Sequence, residues 1–223
     1  MRLMTGAAAL MVSVLLAGCG AAEDEPRAKK SAATSTATPA RYVPCDVLTQ
    51  AERDEVAGAT IDYQGEQDFY FPEWSCSFGD APSQTATTSI RYQAMRSPVW
   101  AAKVPDLIDT TPAVQEPRAF FAAVLQQAGV EESQLASIDP NGACDLWESF
   151  AEVAGDPADG GVSSSSMTEP EFNFQFASAQ TCSEGVYASL TLRSRDADSS
   201  AARKRAVQAV KALHARAVDS LPD

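Results

Sequence analysis

Apolar positions recur along most of this chain in two rhythms, one with the period of strands and one with the period of helices. The run Ser89-Ile90-Arg91-Tyr92-Gln93-Ala94 alternates apolar with polar, as a strand with one buried face does. Phe172, Phe174 and Phe176 alternate through Phe172–Ala179, and Tyr187, Ser189 and Thr191 are set against Ala188, Leu190 and Leu192 through Gly185–Ser194. These two runs predict a hairpin turning at Ser183-Glu184-Gly185. Strands are also expected at Trp74–Phe78 and Thr87–Met95, around the polar turn Asp80-Ala81-Pro82-Ser83, with residues 59–71 β-rich.

The helical rhythm is clearest at the end of the chain. Ala206, Val210, Leu213 and Ala217 form a stripe at the 3.6-residue period, with Ser199 or Ser200 as the expected cap. Pro117 opens a second helix that carries Phe120, Phe121, Val124 and Leu125 on one face. Thr49 with Glu52 makes a capping box for a helix over Gln50–Ala57, and Gly58 is its stop. Cys144–Val153 places Leu146, Trp147, Phe150 and Ala151 on one helical face, with a strand over Cys144–Trp147 as the alternative. Two stretches show neither rhythm: residues 96–116, read as a proline-punctuated connection, and residues 155–169, read as a loop containing the serine run Ser163–Ser166. Antiparallel hairpins mixed with helices, and no glycine-rich dinucleotide fingerprint, predict an α+β fold: an antiparallel sheet with helices packed on one side.

The first residues add an address. Arg2, the apolar run Leu3–Leu16 and the small pair Ala17-Gly18 have the three parts of an export signal. The run is shorter than the ~20 apolar residues that cross a bilayer. It closes as a lipobox, Leu16-Ala17-Gly18-Cys19, in which Cys19 is expected to be lipidated and to become the first residue of the mature chain. Each buried CH₂ of the acyl chains contributes ~0.8 kcal/mol of anchoring. Residues 20–40 hold no large apolar side chain and cannot offset the entropy of ordering, so 19–40 is read as a flexible tether. Ser31, Thr34, Ser35, Thr36 and Thr38 beside Pro39 offer hydroxyls for O-linked sugar. The expected organisation is a signal peptide over 1–18, the tether, and an extracytoplasmic domain over 41–223 on the outer face of a bacterial cytoplasmic membrane.

Charge limits the partners. The chain carries a formal charge of −13, and loss of Arg2 with the signal leaves 16 basic and 30 acidic residues, or −14. Such a chain is a poor nucleic-acid ligand, since phosphate contact needs clustered Lys and Arg. The basic residues Arg203, Lys204, Arg205, Lys211 and Arg216 read as a solvated helix face near a C-terminus that favours cations. The membrane is reached through the lipid on Cys19.

Four cysteines remain beyond Cys19, and four allow three pairings. A repeat selects one. Cys45-Asp46-Val47 runs on to Glu55-Val56-Ala57-Gly58, and Cys144-Asp145-Leu146 runs on to Glu152-Val153-Ala154-Gly155. Later Cys76-Ser77-Phe78-Gly79 is matched by Cys182-Ser183-Glu184-Gly185. The matched pieces suggest two pseudo-repeated halves, 41–130 and 131–223, stapled by equivalent bridges Cys45–Cys76 and Cys144–Cys182. Zinc is the rival, but no C-x-x-C spacing exists and His214 is the lone histidine.

The opening Pro44-Cys45-Asp46-Val47-Leu48-Thr49, the short helix ending at Gly58 and the later Cys76 resemble a family of actinobacterial lipoproteins of unknown function. That family starts its folded part with a Pro-Cys-x-Leu-Leu-Thr-like stretch and ends in an Ala-rich helix, as Ser199–Leu221 does here. The chain departs from the pattern in having Phe78 in place of tryptophan and in the extra Cys144/Cys182 pair. The resemblance implies an address and a fold, and no reaction.

The search for chemistry yields little. No G-x-S-x-G elbow is present, and His214 lies between Lys211 and Arg216 on a helix that reads as exposed. Asp139-x-Asn141-Gly142 and Asp156-x-x-Asp159-Gly160 lack the spacing of a calcium loop and read as turns. No catalytic residue, metal or cofactor is implied. One cluster suits binding: Phe69-Tyr70-Phe71-Pro72-Glu73-Trp74, flanked by Glu66 and Asp68, offers aromatic faces beside carboxylates. Tyr70 and Trp74, with Trp100 and Trp147 if the halves face each other, are the candidate ligand-binding residues. The expected function is a non-catalytic module that binds a cell-envelope ligand or protein partner; the alternative is a carboxylate-dependent envelope hydrolase.

Overall fold

The computed structural model describes residues 43–65, 71–82, 86–110, 116–169, 174–195 and 199–222. Cys19, the signal, the tether and Tyr70 lie outside the described residues. Within them, helix α1 spans Gln50–Ala57 and strands β1, β2 and β3 span Tyr63–Gln64, Ser75–Gly79 and Thr88–Arg96. Helices α2 (Ser97–Ala101), α3 (Val104–Thr110), α4 (Pro117–Ala128) and α5 (Pro140–Val153) follow. Strands β4 (Val162–Glu169), β5 (Phe174–Ser183) and β6 (Val186–Ser194) then lead to α6 (Ser199–Ser220).

The class is α+β. Among the described residues six strands form one antiparallel sheet in the order β1-β2-β3-β6-β5-β4. Alternation decides what each face carries. Ile90, Tyr92 and Ala94 of β3 lie level with Leu192, Leu190 and Ala188 of β6, and form one buried face. The stripe Ala206, Val210, Leu213 and Ala217 of α6 packs on that face, with α1 beside it, in a single apolar cluster. Ala202, Ala206, Ala209 and Ala217 of α6 meet Ala94, Ala177, Ala179 and Ala188 of the strands within this cluster.

A second helical lobe closes one end of the opposite face. There Met95, Cys182 and Tyr187 meet Trp100 of α2, Val104 and Ile108 of α3, Val124 of α4 and Leu146 and Trp147 of α5. The sequence stretch 96–116 is therefore no plain connection but holds α2 and α3. Pro98 and Pro105 stand in the first turns, where a missing N–H costs nothing, so these prolines open helices rather than interrupt them. The stretch 155–169 is likewise corrected: its serines form β4, paired residue for residue with β5 from Val162↔Thr181 to Glu169↔Phe174. Backbone pairing holds this edge strand, so it shows no apolar alternation. The β-rich reading of 59–71 reduces to the two-residue β1 in the described part. Ser199 is the first residue of α6 and Ser200 the second, and the residues just before them lie outside the described residues.

Each half of the chain supplies three sequential strands, and the order is symmetrical about the β3–β6 pair. The helices do not follow that symmetry: α1 packs on the α6 face and α5 on the other. Both disulfides are formed. Cys45–Cys76 ties the 3₁₀ turn Pro44–Asp46 to β2, and Cys144–Cys182 ties α5 to β5. They close sequence separations of 31 and 38 residues. In the chain-entropy account each stabilises the fold by ~3–4 kcal/mol.

The basic face of α6 is not simply solvated. The Arg205 Nε–H donates to the Val56 carbonyl at 2.9 Å, and the Arg216 guanidinium donates to the Val47 carbonyl at 2.6 Å and to Glu52 Oε2 at 2.7 Å. Arg203 donates to Ser164 Oγ at 2.9 Å. These arginines carry α1 and β4 on α6, while Lys204 and Lys211 remain exposed.

Candidate ligand-binding face

Of the four aromatic residues proposed from sequence, the three described do not line a common open groove. Tyr70 lies outside the described residues. Trp74 is half-buried and packs against both apolar clusters, its indole N–H donating to Glu73 Oε1 at 3.1 Å. Trp100 is 3% exposed, stacked on Tyr187 at 5.1 Å and edge-on to Phe150 at 6.0 Å. Trp147 is fully buried, and its indole N–H meets no acceptor. Trp100 and Trp147 are thus core residues of the helical lobe. Rings of this size gain more from burial than from lining an open surface.

His214 is also corrected. It is 9% exposed, and its Nε2 lies 3.0 Å from the Ser183 carbonyl oxygen and 3.2 Å from Ser183 Oγ. Position 214 belongs to the buried stripe of Val210, Leu213 and Ala217, whereas its sequence neighbours Lys211 and Arg216 turn outward. A ring nitrogen this close to a carbonyl carries the proton and donates it. In that tautomer Nε2 cannot accept a proton from Ser183, so the pair is no nucleophile and base.

Four further titratable groups have shifts with local causes. Burial raises Asp156, against Arg203 and Ser165, which lower it. For Asp80 burial acts upward and is outweighed by hydrogen bonds from Thr87 and Thr88, which leave it lowered. Burial pushes the Tyr92 and Tyr187 hydroxyls up to about 12. Asp139 caps α5, its carboxylate accepting from the Asn141 and Gly142 N–H groups at 2.9 and 3.1 Å. Among the described residues no group of three His, Cys, Asp or Glu side chains is placed to hold a metal ion. Nor is any helix among them long and apolar enough to cross a membrane.

What the fold does assemble is a polar sheet face. Beyond the helical lobe, the strand faces opposite α6 present Gln93 level with Ser75 and Ser189, and Gln180 level with Ser189 and Ser163. The next row sets Arg91 against Ser77 and Thr191, with Ser178 and Ser165 beyond. Ser75 donates to Gln93 Oε1 at 3.2 Å and Tyr187 donates to Gln180 Oε1 at 3.0 Å, which fixes both amide oxygens as acceptors and leaves the amide N–H groups as donors. Ser165 and Ser178 hydroxyls are 2.9 Å apart. The far end is apolar and cationic: the Arg193 guanidinium lies 3.5 Å from the centre of the Phe174 ring, with Arg195 at 5.0 Å. Most of these polar side chains are half-buried, shielded by each other and by the lobe.

The polar face has a signal in the sequence that the aromatic clusters do not share. Ser89, Arg91 and Gln93, and likewise Ser189, Thr191 and Arg193, are the polar partners of two alternating strands. Fold and face together define a two-cored α+β domain that presents one polar side of its sheet. No known protein family, curated protein or solved structure matches this chain.

Proposed function

We propose that this chain is a membrane-anchored bacterial lipoprotein whose extracytoplasmic domain is a non-catalytic binding module. The lipobox at Cys19, the polar tether and the resemblance to actinobacterial lipoproteins support the address. The observation that carries the binding reading is the polar sheet face, where Gln93, Gln180, Ser189 and Thr191 offer hydrogen-bonding groups on a rigid platform walled by the helical lobe. Such a surface suits a polyhydroxylated envelope fragment or the backbone of a protein partner. The occupied Nε2 of His214 weighs against hydrolysis by a serine and histidine pair.

Two experiments test this. Cys19→Ala should move the chain from the membrane fraction to the soluble fraction. Native mass spectrometry of residues 41–223 with muropeptides and envelope polysaccharide fragments should show an intact fragment bound, and Thr191→Leu should weaken it at least tenfold. Release of shortened fragments would instead support the carboxylate-dependent hydrolase.

A further inference from the structure

Strand β4 is an eight-residue sheet edge, and its register with β5 runs without a bulge. It contains no proline, lysine or arginine. Natural edges are usually blunted by such residues, by bulges or by shortness. The opposite edge of this sheet, β1, uses shortness and is two residues long.

Backbone geometry tells which groups of β4 face outward. The Val162 N–H donates to the Asp159 carbonyl at 3.2 Å, and the Asp159 N–H donates to the Val162 carbonyl at 3.0 Å, across the turn Gly160-Gly161. The N–H and C=O of one strand residue point to the same side. Those of Val162 therefore point away from β5. By the two-residue period so do those of Ser164, Ser166 and Thr168, while Ser163, Ser165 and Met167 bond to β5. Three rungs are open. Asp159 closes the edge at Val162, and Pro170, which follows Glu169 in the sequence, has no N–H to offer.

Three evenly spaced rungs centred on Ser166 are their own complement under a two-fold axis. Ser166 falls opposite Ser166 of a second copy, and Ser164 opposite Thr168. We propose that β4 pairs antiparallel with β4 of a second copy about Ser166, joining two six-stranded sheets into one continuous sheet. Charge allows it: a chain of net charge −13 repels its copies, but no side chain from Ser163 to Thr168 is charged. The groups beside them, Arg203 on Ser164 and Asp156 against Arg203 and Ser165, are of opposite sign. Met167, 38% exposed, falls opposite Ser165 of the second copy and is covered. One strand edge is smaller than a standard interface of ~1,200–2,000 Å². The dimer is therefore weak and concentration-dependent, and tethering to a common surface favours it.

Cysteine cross-linking of the full chain in detergent tests the register. Across a hydrogen-bonded pair Cα atoms lie ~5.5 Å apart, within disulfide reach. Ser166→Cys should give a product of twice the mass on mild oxidation. Thr168→Cys alone should not, since its own copies are displaced by roughly 13 Å along the strand. A mixture of Ser164→Cys and Thr168→Cys chains should cross-link. Ser166→Pro removes an outward donor without touching a bond to β5, and should lower the sedimentation-measured association constant at least tenfold at unchanged melting temperature. Equal cross-linking at 166 and 168, none at 166, capture of a different protein, or a monomer at every concentration overturns the proposal; if Ser166→Pro does not fold, the cross-linking pattern decides.

Discussion

Glu52 links three parts of the molecule through one carboxylate. It accepts the Thr49 N–H at 2.8 Å and the Thr49 hydroxyl at 2.7 Å, completing the capping box of α1, and it receives Arg216 from α6. The Arg216 hydrogen bond, against burial and together with Thr49, pulls its pKa from 4.5 to about 2. A folded pKa below the unfolded one gives stability that is present above pH 4.5 and is lost as pH falls towards 2. Glu52→Gln keeps a capping oxygen and removes the charge. Its melting temperature should therefore fall less steeply than that of the parent over this window, measured by melts at stepped pH. Parallel curves would remove Glu52 from the acid response. Thr49→Ala removes the hydroxyl cap and should cost about 1 kcal/mol near neutral pH, and less in acid, because the same hydroxyl helps to lower the Glu52 pKa. Capping of this kind is readable from sequence because donor and acceptor are three residues apart. The other half of the arrangement is not, since Arg216 lies 164 residues away and only the packing of α6 brings it to Glu52. His214 teaches the same lesson in reverse: charged sequence neighbours suggested exposure, while its place on the 3.6-residue stripe put it inside.

Elements are legible where local chemistry decides them and obscure where pairing does. The hairpin between β5 and β6 turns on Glu184 and Gly185 with φ of 50° and 73°, the left-handed pair of a two-residue hairpin loop. A Cβ on Gly185 would stand 2.9 Å from Pro140 Cβ, so the turn also seats the start of α5. Gly185→Ala should lose about 1–2 kcal/mol from backbone conformation alone and more from the clash. Gly129→Ala, with φ of 66° and nothing within 4 Å of the new Cβ, should lose only the conformational part. Urea titration of both separates the two; equal losses would show that Pro140 yields freely. By contrast β4 has no apolar signal because its partner strand, not its own side chains, makes it a strand. The disulfides differ by element too. Cys76 is buried, but Cys45 is half-buried on a short 3₁₀ turn, whereas Cys144 and Cys182 are 9% and 5% exposed within the lobe. Graded reductant followed by thiol alkylation should open Cys45–Cys76 first. Loss of either bridge should cost ~2–5 kcal/mol.

At the scale of the whole molecule the question is whether two cores make one folding unit. The sheet is common to both: alternate residues of β3, β5 and β6 serve the α6 side and the helical lobe, and Trp74 packs against each. Arg96 at the end of β3 donates to the Leu221 and Pro222 carbonyls, which fastens the C-terminus beyond α6 to the strand that leads into the lobe. Shared strands cannot lose one face and keep the other without exposing a full row of apolar side chains, so unfolding should be a single transition. The tryptophans permit a direct check. Trp100 and Trp147 lie in the lobe core and Trp74 packs against both cores, so their fluorescence is weighted to the lobe. Far-UV circular dichroism reports the whole backbone, α6 on the other side, the longest helix described, included. The two probes should give coincident denaturation curves. Leu190→Ala in the α6 core should lower both by 2–5 kcal/mol, in step with each other. If Leu190→Ala moved the dichroism curve and left the fluorescence curve in place, the lobe would be a separate unit, and the polar face beside it would lose its fixed wall.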